Sequence, residues 1–145
     1  MGNPTFIVRR ATAIDQLQCN VVRRIVFTEG MGVPTYIEAD GRDDVCEHAI
    51  AWSGAEPVGT ARLRIHEGRA KVERVAVLEA YRGLGVGVRL MAVLEEAASS
   101  GGHAAVHLHA QVAVVGFYER LGYIAEGPRF LEADIWHQAM YKPLS

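Results

Sequence analysis

An α+β domain with a mixed, mostly antiparallel sheet is the fold class that this sequence predicts, and two observations carry the prediction. Three strand-like segments at 46–53, 57–66 and 70–78 follow one another with only short glycine-containing turns between them, which predicts an antiparallel meander. A helical segment then separates the third strand from another at 104–109, and strands joined by such a crossover lie parallel. Half of the 145 residues are apolar, enough for the core of a single domain over 1–145.

The first elements are an opening strand at 5–9 and a helix from Thr12 to about Thr28. Thr12 with Asp15 resembles a capping box. Apolar residues recur after it at helical spacing, namely Ile14, Leu17, Val21, Val22, Ile25 and Val26. Two glycines and Pro34 then predict the loop that leads into the meander.

The second half of the chain alternates helices and strands. The helix after the meander is expected to run to about Ser99 and to act as the crossover to the strand at 104–109. A further helix is predicted over 112–121. Two late strands, one near Tyr123 and one at 137–141, complete the sheet.

The turn between the third strand and the crossover helix has the composition of an anion-binding loop. Gly83, Gly85 and Gly87 let the backbone approach a ligand, and the first turn of the helix leaves N–H groups unpaired at its partly positive end. A phosphate or pyrophosphate is the expected ligand. No Gly-Lys-Ser/Thr follows, which excludes Walker A, and the third glycine of the dinucleotide fingerprint is missing.

Two segments resemble the GNAT superfamily of N-acetyltransferases. Arg82, Gly85 and Gly87 fill the Arg-x-x-Gly-x-Gly pattern of its acyl-CoA pyrophosphate loop. Residues 111–123 are similar to its Asn-x-x-Ala-x-x-Phe-Tyr-x-x-x-Gly-Phe segment, with Gln111 in place of the asparagine. Finer resemblance to the YjcF/ElaA-like branch lies in the segments 24–29, 38–40, 47–49, 109–111 and 130–137. The resemblance implies the GNAT fold, whose mixed sheet between helices contains one splayed pair of parallel strands.

The same resemblance implies acetyl-CoA as the cofactor, with its pantetheine arm between the two parallel strands and its pyrophosphate on the glycine loop. Arg82 would donate charge-assisted hydrogen bonds there, although a solvated arginine in a surface turn is the alternative. The residues expected to bind the cofactor are Val75, Ala76, Val77, Arg82, Gly83, Leu84, Gly85, Val86, Gly87, Val88, Gln111 and Tyr118. Arg89 is expected to face either solvent or a terminal phosphate of the cofactor.

The implied reaction is attack by a primary amine on a thioester. By resemblance, Tyr118 lies beside the sulfur as the general acid; the alternative is a tyrosine that packs with Phe117 in the core. Neither Cys19 nor Cys46 is placed as a nucleophile, and both are predicted to be buried free thiols. Direct transfer in a ternary complex is therefore expected.

Two interpretations of Glu73 remain open. Simple strand alternation puts Glu73 on the same face as Val75 and Val77, where its carboxylate could direct a water molecule or the amine as general base. The charged run from Lys71 to Arg74 is equally consistent with ion pairs across a sheet face.

The acceptor is expected to be a small-molecule or peptide amine. By resemblance to the branch, Glu29, His48, Glu132 and His137 flank its pocket, although each has an ordinary interpretation as a surface or satisfied polar residue. Acidic residues in the loop before the meander are consistent either with attraction of a cationic amine or with a solvated loop. Trp136 and Tyr141 are expected in the core or at a subunit contact, and a homodimer is a family-level expectation.

Charge and hydropathy exclude other classes. A formal net charge of -2 argues against nucleic acid as the main partner, and no apolar run approaches the roughly 20 residues that span a membrane. The amino terminus lacks the apolar centre of a signal peptide, so a cytoplasmic location is expected. His107 and His109 alternate on a strand, but no third ligand is apparent and no metal is expected. The rival functions are a non-catalytic acyl-CoA sensor and a regulatory domain that binds ATP or NAD through the same loop.

Overall fold

The computed structural model describes residues 5–144, which form an eight-stranded mixed sheet with helices on both faces. The strands are β1 (Ile7–Arg10), β2 (Glu47–Ser53), β3 (Glu56–His66), β4 (Arg69–Val77), β5 (Ala105–Gln111), β6 (Ile124–Ala125), β7 (Phe130–Glu132) and β8 (Ile135–Pro143). Their order in the sheet is β1-β2-β3-β4-β5-β8-β6, with β7 paired to β8. The predicted antiparallel meander is confirmed as β2, β3 and β4. Sequence reasoning missed β7, because three residues give no readable alternation.

The helices are α1 (Gln16–Arg23), α2 (Thr35–Glu38), α3 (Val86–Ser100) and α4 (Val115–Arg120). At the start of the first helical region, the Asp15 carboxylate accepts a hydrogen bond from the Thr12 backbone N–H at 2.7 Å, as a capping box requires. The end of that region, Arg24–Glu29, is π-helical. The short helix α2 lies inside the segment predicted to be a loop.

The side of α1 that faces the sheet is not the side that the apolar spacing predicts. Of the six residues whose spacing predicts the helix, only Val22 and Val26 are buried. The other four, Ile14, Leu17, Val21 and Ile25, are exposed. The side that faces the sheet instead carries Cys19 and the fully buried Arg23, because charged side chains lie on the sheet beneath it.

The opposite face of the sheet packs against α3 through an apolar core. Gly59 of β3 permits the close approach, since a Cβ atom there would lie 3.0 Å from the side chains of Leu90 and Val86. Strand residues whose side chains lie on this same face, such as Leu63 of β3 and Leu108 of β5, belong to one buried cluster. We call the two sides of the sheet the α3 face and the α1 face.

The parallel pair of β4 and β5 is confirmed, and the two strands diverge after a short contact. The register joins Ala70 to Val106, Lys71 to His107 and Val72 to Leu108. Within the described residues, the β4–β5 register ends at the pair of Val72 and Leu108. The strands therefore leave a slit between their carboxyl ends, as the resemblance implied.

A bulge in β4 corrects the predicted position of Glu73. The register pairs Arg62 with Glu73 and Thr60 with Ala76, so β4 holds one more residue than β3 between these pairs. Arg74, with φ of 56°, occupies the left-handed region at this point. The extra residue breaks the alternation: Glu73 and Ala76 lie on the α1 face, whereas Val75 and Val77 pack against the core on the α3 face.

The structure also shows the surroundings of four other side chains that the sequence singled out. Cys19 is buried and Cys46 is partly buried, and both are free thiols. Trp136 is 56% exposed, so it is not a core residue as one expectation had it. Tyr141 is partly buried and its ring stacks on His107 at 6.2 Å.

Candidate active site

The slit between β4 and β5 opens into a cavity of about 1130 Å³. Its walls come from β4, β5, the glycine loop, α4, the segment after α1 and the β7–β8 turn. Sequence-predicted residues that line it are Glu29, Glu73, Val75, Ala76, Val77, Arg82, Gly83, Gly85, Val86, Gly87, Val88, Gln111, Tyr118, Glu132 and His137. One cavity thus brings together most of the residues assigned separately to the cofactor and the acceptor.

The glycine loop has the backbone that its composition predicts. Gly83 and Gly85 have φ of 77° and 86°, and a Cβ atom at either position would meet open space. Gly85 is the N-cap residue of α3, and its carbonyl accepts a hydrogen bond from the Arg89 N–H at 3.2 Å. The N–H groups of the preceding helical residues are available at the positive end of a 15-residue helix, which suits an anion.

Gly87 serves packing in addition to ligand approach. A Cβ atom built there would lie 3.1 Å from Cζ of Phe117 on α4. The absence of a side chain therefore lets α3 and α4 meet at the wall of the cavity. This contact is invisible in the local pattern, which groups Gly87 with Gly83 and Gly85.

The two arginines of the loop region have different partners. Arg82 is exposed and donates from Nε to the Val77 carbonyl at 2.9 Å, which ties the loop to the end of β4. Arg89 donates from Nη1 to the Phe6 carbonyl at 2.9 Å. Arg89 thus bonds to the strand-β1 side of the molecule, and it does not line the described cavity.

Tyr118 is buried on the α3 face and lines the cavity. Its ring packs edge-on against Phe117 at 5.0 Å and against Tyr123 at 5.7 Å. Burial raises the pKa of Tyr118, so its hydroxyl stays protonated at neutral pH. The Tyr118 ring thus packs in the core, as one interpretation had it, and also lines the cavity, which the general-acid interpretation requires.

The α1 face of the slit is built on charged residues. Arg62 is fully buried and donates to Asp40 at 2.5 Å, to Asp43 at 3.1 Å and to Glu73 at 2.6 Å. Arg23, also buried, reaches Asp43 at 2.6 Å and pairs with Glu38. We call Arg23, Glu38, Asp40, Asp43, Arg62, Arg64, Lys71 and Glu73 the buried ion network.

Glu73 is held by three cations of this network. Arg64 donates to its carboxylate at 2.8 Å and Lys71 lies 3.4 Å away, in addition to the bond from Arg62. Burial alone pushes the pKa of Glu73 up, but the hydrogen bonds from Arg62 and Arg64 outweigh it and lower the pKa to about 2. The geometry favours the ion-pair interpretation of Glu73, because such a carboxylate is a poor proton acceptor.

A second cluster of titratable groups lies on the α1 face, where β5, β7 and β8 meet. Nδ1 of His109 lies 3.4 Å from one carboxylate oxygen of Glu132, and Nε2 of His137 lies 3.7 Å from the other. The Nδ1–H of His137 donates to the Ile135 carbonyl at 2.7 Å. The hydrogen bond from His109 is the main cause that lowers the pKa of Glu132. Phe130 contacts both imidazole rings.

Three further predicted residues differ in their placement. The Gln111 side chain reaches across the mouth of the cavity to Sδ of Met31 at 3.7 Å. Glu29 lines the cavity but is exposed and lies 3.5 Å from Arg24. His48 is not brought to the cavity: it is buried on β2, and its Nε2 lies 2.9 Å from the Asp43 carbonyl oxygen.

The slit and the glycine loop lie in a part of the chain that matches a known protein family. Residues 36–144 match the family model described as the acetyltransferase (GNAT) domain. This chain belongs to the GNAT acetyltransferases. The match spans the slit, the glycine loop, α4 and every member of the buried ion network except Arg23.

Individual GNAT proteins confirm the branch. YjcF of Bacillus subtilis, an uncharacterized N-acetyltransferase, is 39% identical over 122 residues, which cover 83% of this chain and 87% of YjcF. The crystal structure of Escherichia coli ElaA has a TM-score of 0.83 and 26% identity, covering 95% of this chain and 99% of ElaA. An aminoglycoside 6'-N-acetyltransferase in complex with coenzyme A has a TM-score of 0.76 over 94% of this chain and 96% of its own; at 18% identity, this likeness shows the fold alone.

Two classes of feature are missing from the described part of this GNAT domain. Over residues 5–144, no helix is long and apolar enough to cross a membrane. Within the same residues, no group of three or more histidine, cysteine or acidic side chains has the arrangement of a metal site.

Sequence reasoning missed the partners that complete the site. Arg62 and Arg64 bind Glu73 from the adjacent strand, and His109 joins Glu132 across β8. The only signal for the first pair was alternation, since Arg62 and Arg64 are charged residues two apart in a strand otherwise rich in apolar residues. For His109 the signal was its place near the end of β5, two residues before Gln111 and on the same face.

Proposed function

We propose that this single domain transfers an acetyl group from acetyl-CoA directly to a primary amine within a ternary complex. The observation that carries the proposal is the slit between β4 and β5, which opens where their register ends at Val72 and Leu108 and leads into the left-handed turn at Gly83 and Gly85 and the amino terminus of α3. An extended amide chain needs hydrogen-bond partners, and a strand with a free edge supplies them.

On the cofactor side, the backbone of residues 75–77 pairs with the pantetheine amides. The pyrophosphate lies over the glycine loop, where Arg82 and the N–H groups of α3 meet it. The aminoglycoside acetyltransferase of the same fold is bound to coenzyme A, and the proposal extends that class of cofactor to this chain. Val88 and Leu84, both exposed beside the loop, contribute apolar contacts with the nucleotide end.

On the chemical side, a backbone N–H near Val75 stabilises the oxyanion, as preorganised amides do. Tyr118 donates its hydroxyl proton towards the leaving thiolate. Because burial raises the pKa of Tyr118, its main contribution is a hydrogen bond to the developing charge. Cys19 and Cys46 do not line the described cavity, which supports direct attack by the amine over an acyl-enzyme.

The test is acetylation of defined amines. The protein is incubated with acetyl-CoA and, separately, with spermidine, lysine, glucosamine and a peptide with a free amino terminus, and products are detected by mass spectrometry. We expect one product with the mass of an added acetyl group and one equivalent of free CoA thiol. Retention of this activity in a Cys19→Ala, Cys46→Ala double variant would support the ternary complex, and its loss from a folded variant would contradict it.

The rival functions give different results. Tight binding of acetyl-CoA in calorimetry, with no acetylated product from any amine, would favour the acyl-CoA sensor. Stabilisation against heat that is as large with ATP or NAD as with acetyl-CoA would favour a nucleotide-binding regulatory domain.

A further inference from the structure

Acetyl transfer to an amine needs two proton transfers, one to the leaving thiolate and one from the acceptor ammonium group. Tyr118 is assigned to the first, and the second needs a residue of its own. Tyr118 lies on the α3 face, whereas the sheet alternation puts His107, His109 and Gln111 on the α1 face. An amine that attacks the thioester from the α1 face must first lose a proton, because alkylammonium ions are not nucleophilic. The proton acceptor is therefore to be sought on the α1 face, beyond the last β4–β5 pair at Val72 and Leu108.

Glu73 stands at this level but is already bonded. Its carboxylate accepts hydrogen bonds from Arg62 and Arg64 and lies near Lys71. Taking a proton would dismantle ion pairs in a buried position, where loss of one partner is costly. The next candidate on the same face is His109, the first residue of β5 past the parallel pairs.

The contacts of His109 leave one ring nitrogen for a substrate. A carboxylate only accepts hydrogen bonds, so Nδ1 of His109 carries the hydrogen directed at Glu132 and Nε2 carries the lone pair. The His109 side chain is 35% exposed and lines the cavity. His137 has no such freedom, because its Nδ1 bonds to the Ile135 carbonyl and its Nε2 faces Glu132.

We propose that His109 is the general base that deprotonates the acceptor amine and that Glu132 is the positioning residue that fixes the imidazole. This inference rests on the proposed acetyl transfer. In this arrangement the Glu132 carboxylate orients the imidazole, and the imidazole accepts the proton of the substrate. Histidine is the side chain best suited to exchange protons near neutral pH.

The proton and electron balance is complete. Nε2 of His109 takes one proton from the ammonium group and later gives it to solvent. The neutral nitrogen then attacks the thioester carbon, the C–N bond forms and the C–S bond breaks. The second proton lost by nitrogen as the amide forms balances the one that the thiolate receives through Tyr118. The sum is amide, CoA thiol and one proton released.

The first experiment compares His109→Gln with His107→Gln. The two histidines share a strand and a face, but His107 stacks on Tyr141 and does not line the described cavity. With acetyl-CoA and the amine that reacts fastest in the panel above, kcat of His109→Gln at pH 7 should fall by about a hundred- to ten-thousand-fold. His107→Gln should keep kcat within about threefold, and calorimetry should show unchanged acetyl-CoA affinity in both variants.

A second readout separates proton transfer from mere structure. Hydroxylamine is mostly uncharged at neutral pH and needs no base, so His109→Gln should lose far less activity with it than with an alkylamine. The alkylamine rate of the variant should also recover as pH rises and the free amine appears in solution. The titratable and charged groups on this face include Glu132 from β7, His137 from β8, His107 from β5, Lys71 and Glu73 from β4, and Arg62 and Arg64 from β3.

Glu132→Gln keeps the size of the side chain and weakens the orientation of the imidazole. It should lower kcat by about tenfold or more and shift the pH profile of kcat, with the acceptor KM little changed. Since Glu132 is on a short outer strand, this variant is expected to fold even where His109→Gln does not.

Two outcomes would overturn the inference and leave acetyl transfer intact. One is a His109→Gln protein with the parent rate and pH profile on the alkylamine. The other is an equal loss of rate with hydroxylamine and the alkylamine. A parent protein that acetylates no amine at all would instead contradict the proposed function itself.

Discussion

The two faces of the slit are built on opposite principles. The α3 face consists of apolar packing, left-handed glycines and a buried tyrosine whose ring contacts Phe117 and Tyr123. The α1 face consists of the buried ion network and the imidazoles of His109 and His137. In the proposed function, the polar acceptor enters on the charged face and the thioester arm binds against neutral backbone.

The difference teaches where a substitution acts. On the α3 face, a side chain can be altered at the reacting atoms with little effect on the fold. On the α1 face, the charged residues stabilise the strands that form the slit, so removal of one leaves opposite charges buried with fewer ion pairs to compensate them. Four predictions use this contrast, beginning with the largest effect.

Arg62→Met should lower the free energy of unfolding by about 3–5 kcal/mol, because Asp40, Asp43 and Glu73 lose their shared cation. Urea unfolding followed by circular dichroism measures the change. Arg10→Met is the matched control, since Arg10 is exposed and 3.7 Å from Glu47, and it should change stability by less than about 1 kcal/mol. Equal effects of the two variants would contradict the role assigned to the network.

Acid should weaken the α1 face through Glu73. Its pKa falls from 4.5 to about 2 on folding, so its stabilisation is fully present above pH 4.5 and is lost as pH drops towards 2. The total corresponds to about 3 kcal/mol. Urea unfolding of the parent and of Glu73→Gln between pH 6 and pH 3 measures it: the stability gap should narrow as pH falls. A gap that stays constant would show that the pKa of Glu73 is the same in the folded and unfolded states.

Tyr118→Phe should lower kcat by about a hundredfold, the low end for loss of a general acid, since a thiolate can also leave unaided. The Kd of acetyl-CoA and the fold should change little, because the ring and its packing remain. Steady-state kinetics and calorimetry provide both numbers. Tyr123→Phe is the control: its hydroxyl bonds to Glu95 at 2.7 Å, so it should affect stability and spare kcat. Parent-level turnover in Tyr118→Phe would make Tyr118 a packing residue.

Arg82→Ala should weaken acetyl-CoA binding by about 1.5–3 kcal/mol, the worth of hydrogen bonds to a charged group. The comparison is Arg89→Ala, whose guanidinium bonds to the Phe6 carbonyl and should leave the affinity unchanged. Calorimetry with acetyl-CoA tests both variants. Weaker binding in Arg89→Ala alone would indicate that Arg89, and not Arg82, contacts a phosphate of the cofactor.

The α3 face could be predicted from sequence because its determinants are local. A strand, a turn at Gly83 and Gly85 and a helix occupy consecutive residues, and so do Phe117 and Tyr118 on α4. The parallel pair followed from the crossover helix alone. Such features depend on backbone geometry within about one helical segment, which composition and spacing report directly.

The α1 face could not be predicted in the same way, because its contacts join distant residues. Arg62 bonds to Asp40, 22 positions away, and His109 reaches Glu132, 23 positions away. The position of Glu73 was wrong because alternation assumes an unbroken strand, and no residue type announces the bulge: an arginine occupies the left-handed position. Similarly, most of the apolar residues at helical spacing in α1 lie on its exposed side, because Arg23 occupies the side that faces the sheet.

The bulge at Arg74 also bears on how this chain can change length. Removing the codon for Arg74 would do what no point substitution could, because β3 and β4 would then pair in one continuous register. Val75 and Val77 would keep the α3 face, and Ala76 would keep its contact with Val22 and Val26, because the bulge already offsets the alternation. The extra residue therefore changes the local shape of β4 and not the faces of the residues after it. A deletion of one residue is expected to remove the left-handed position while leaving every predicted site residue on its present side of the sheet.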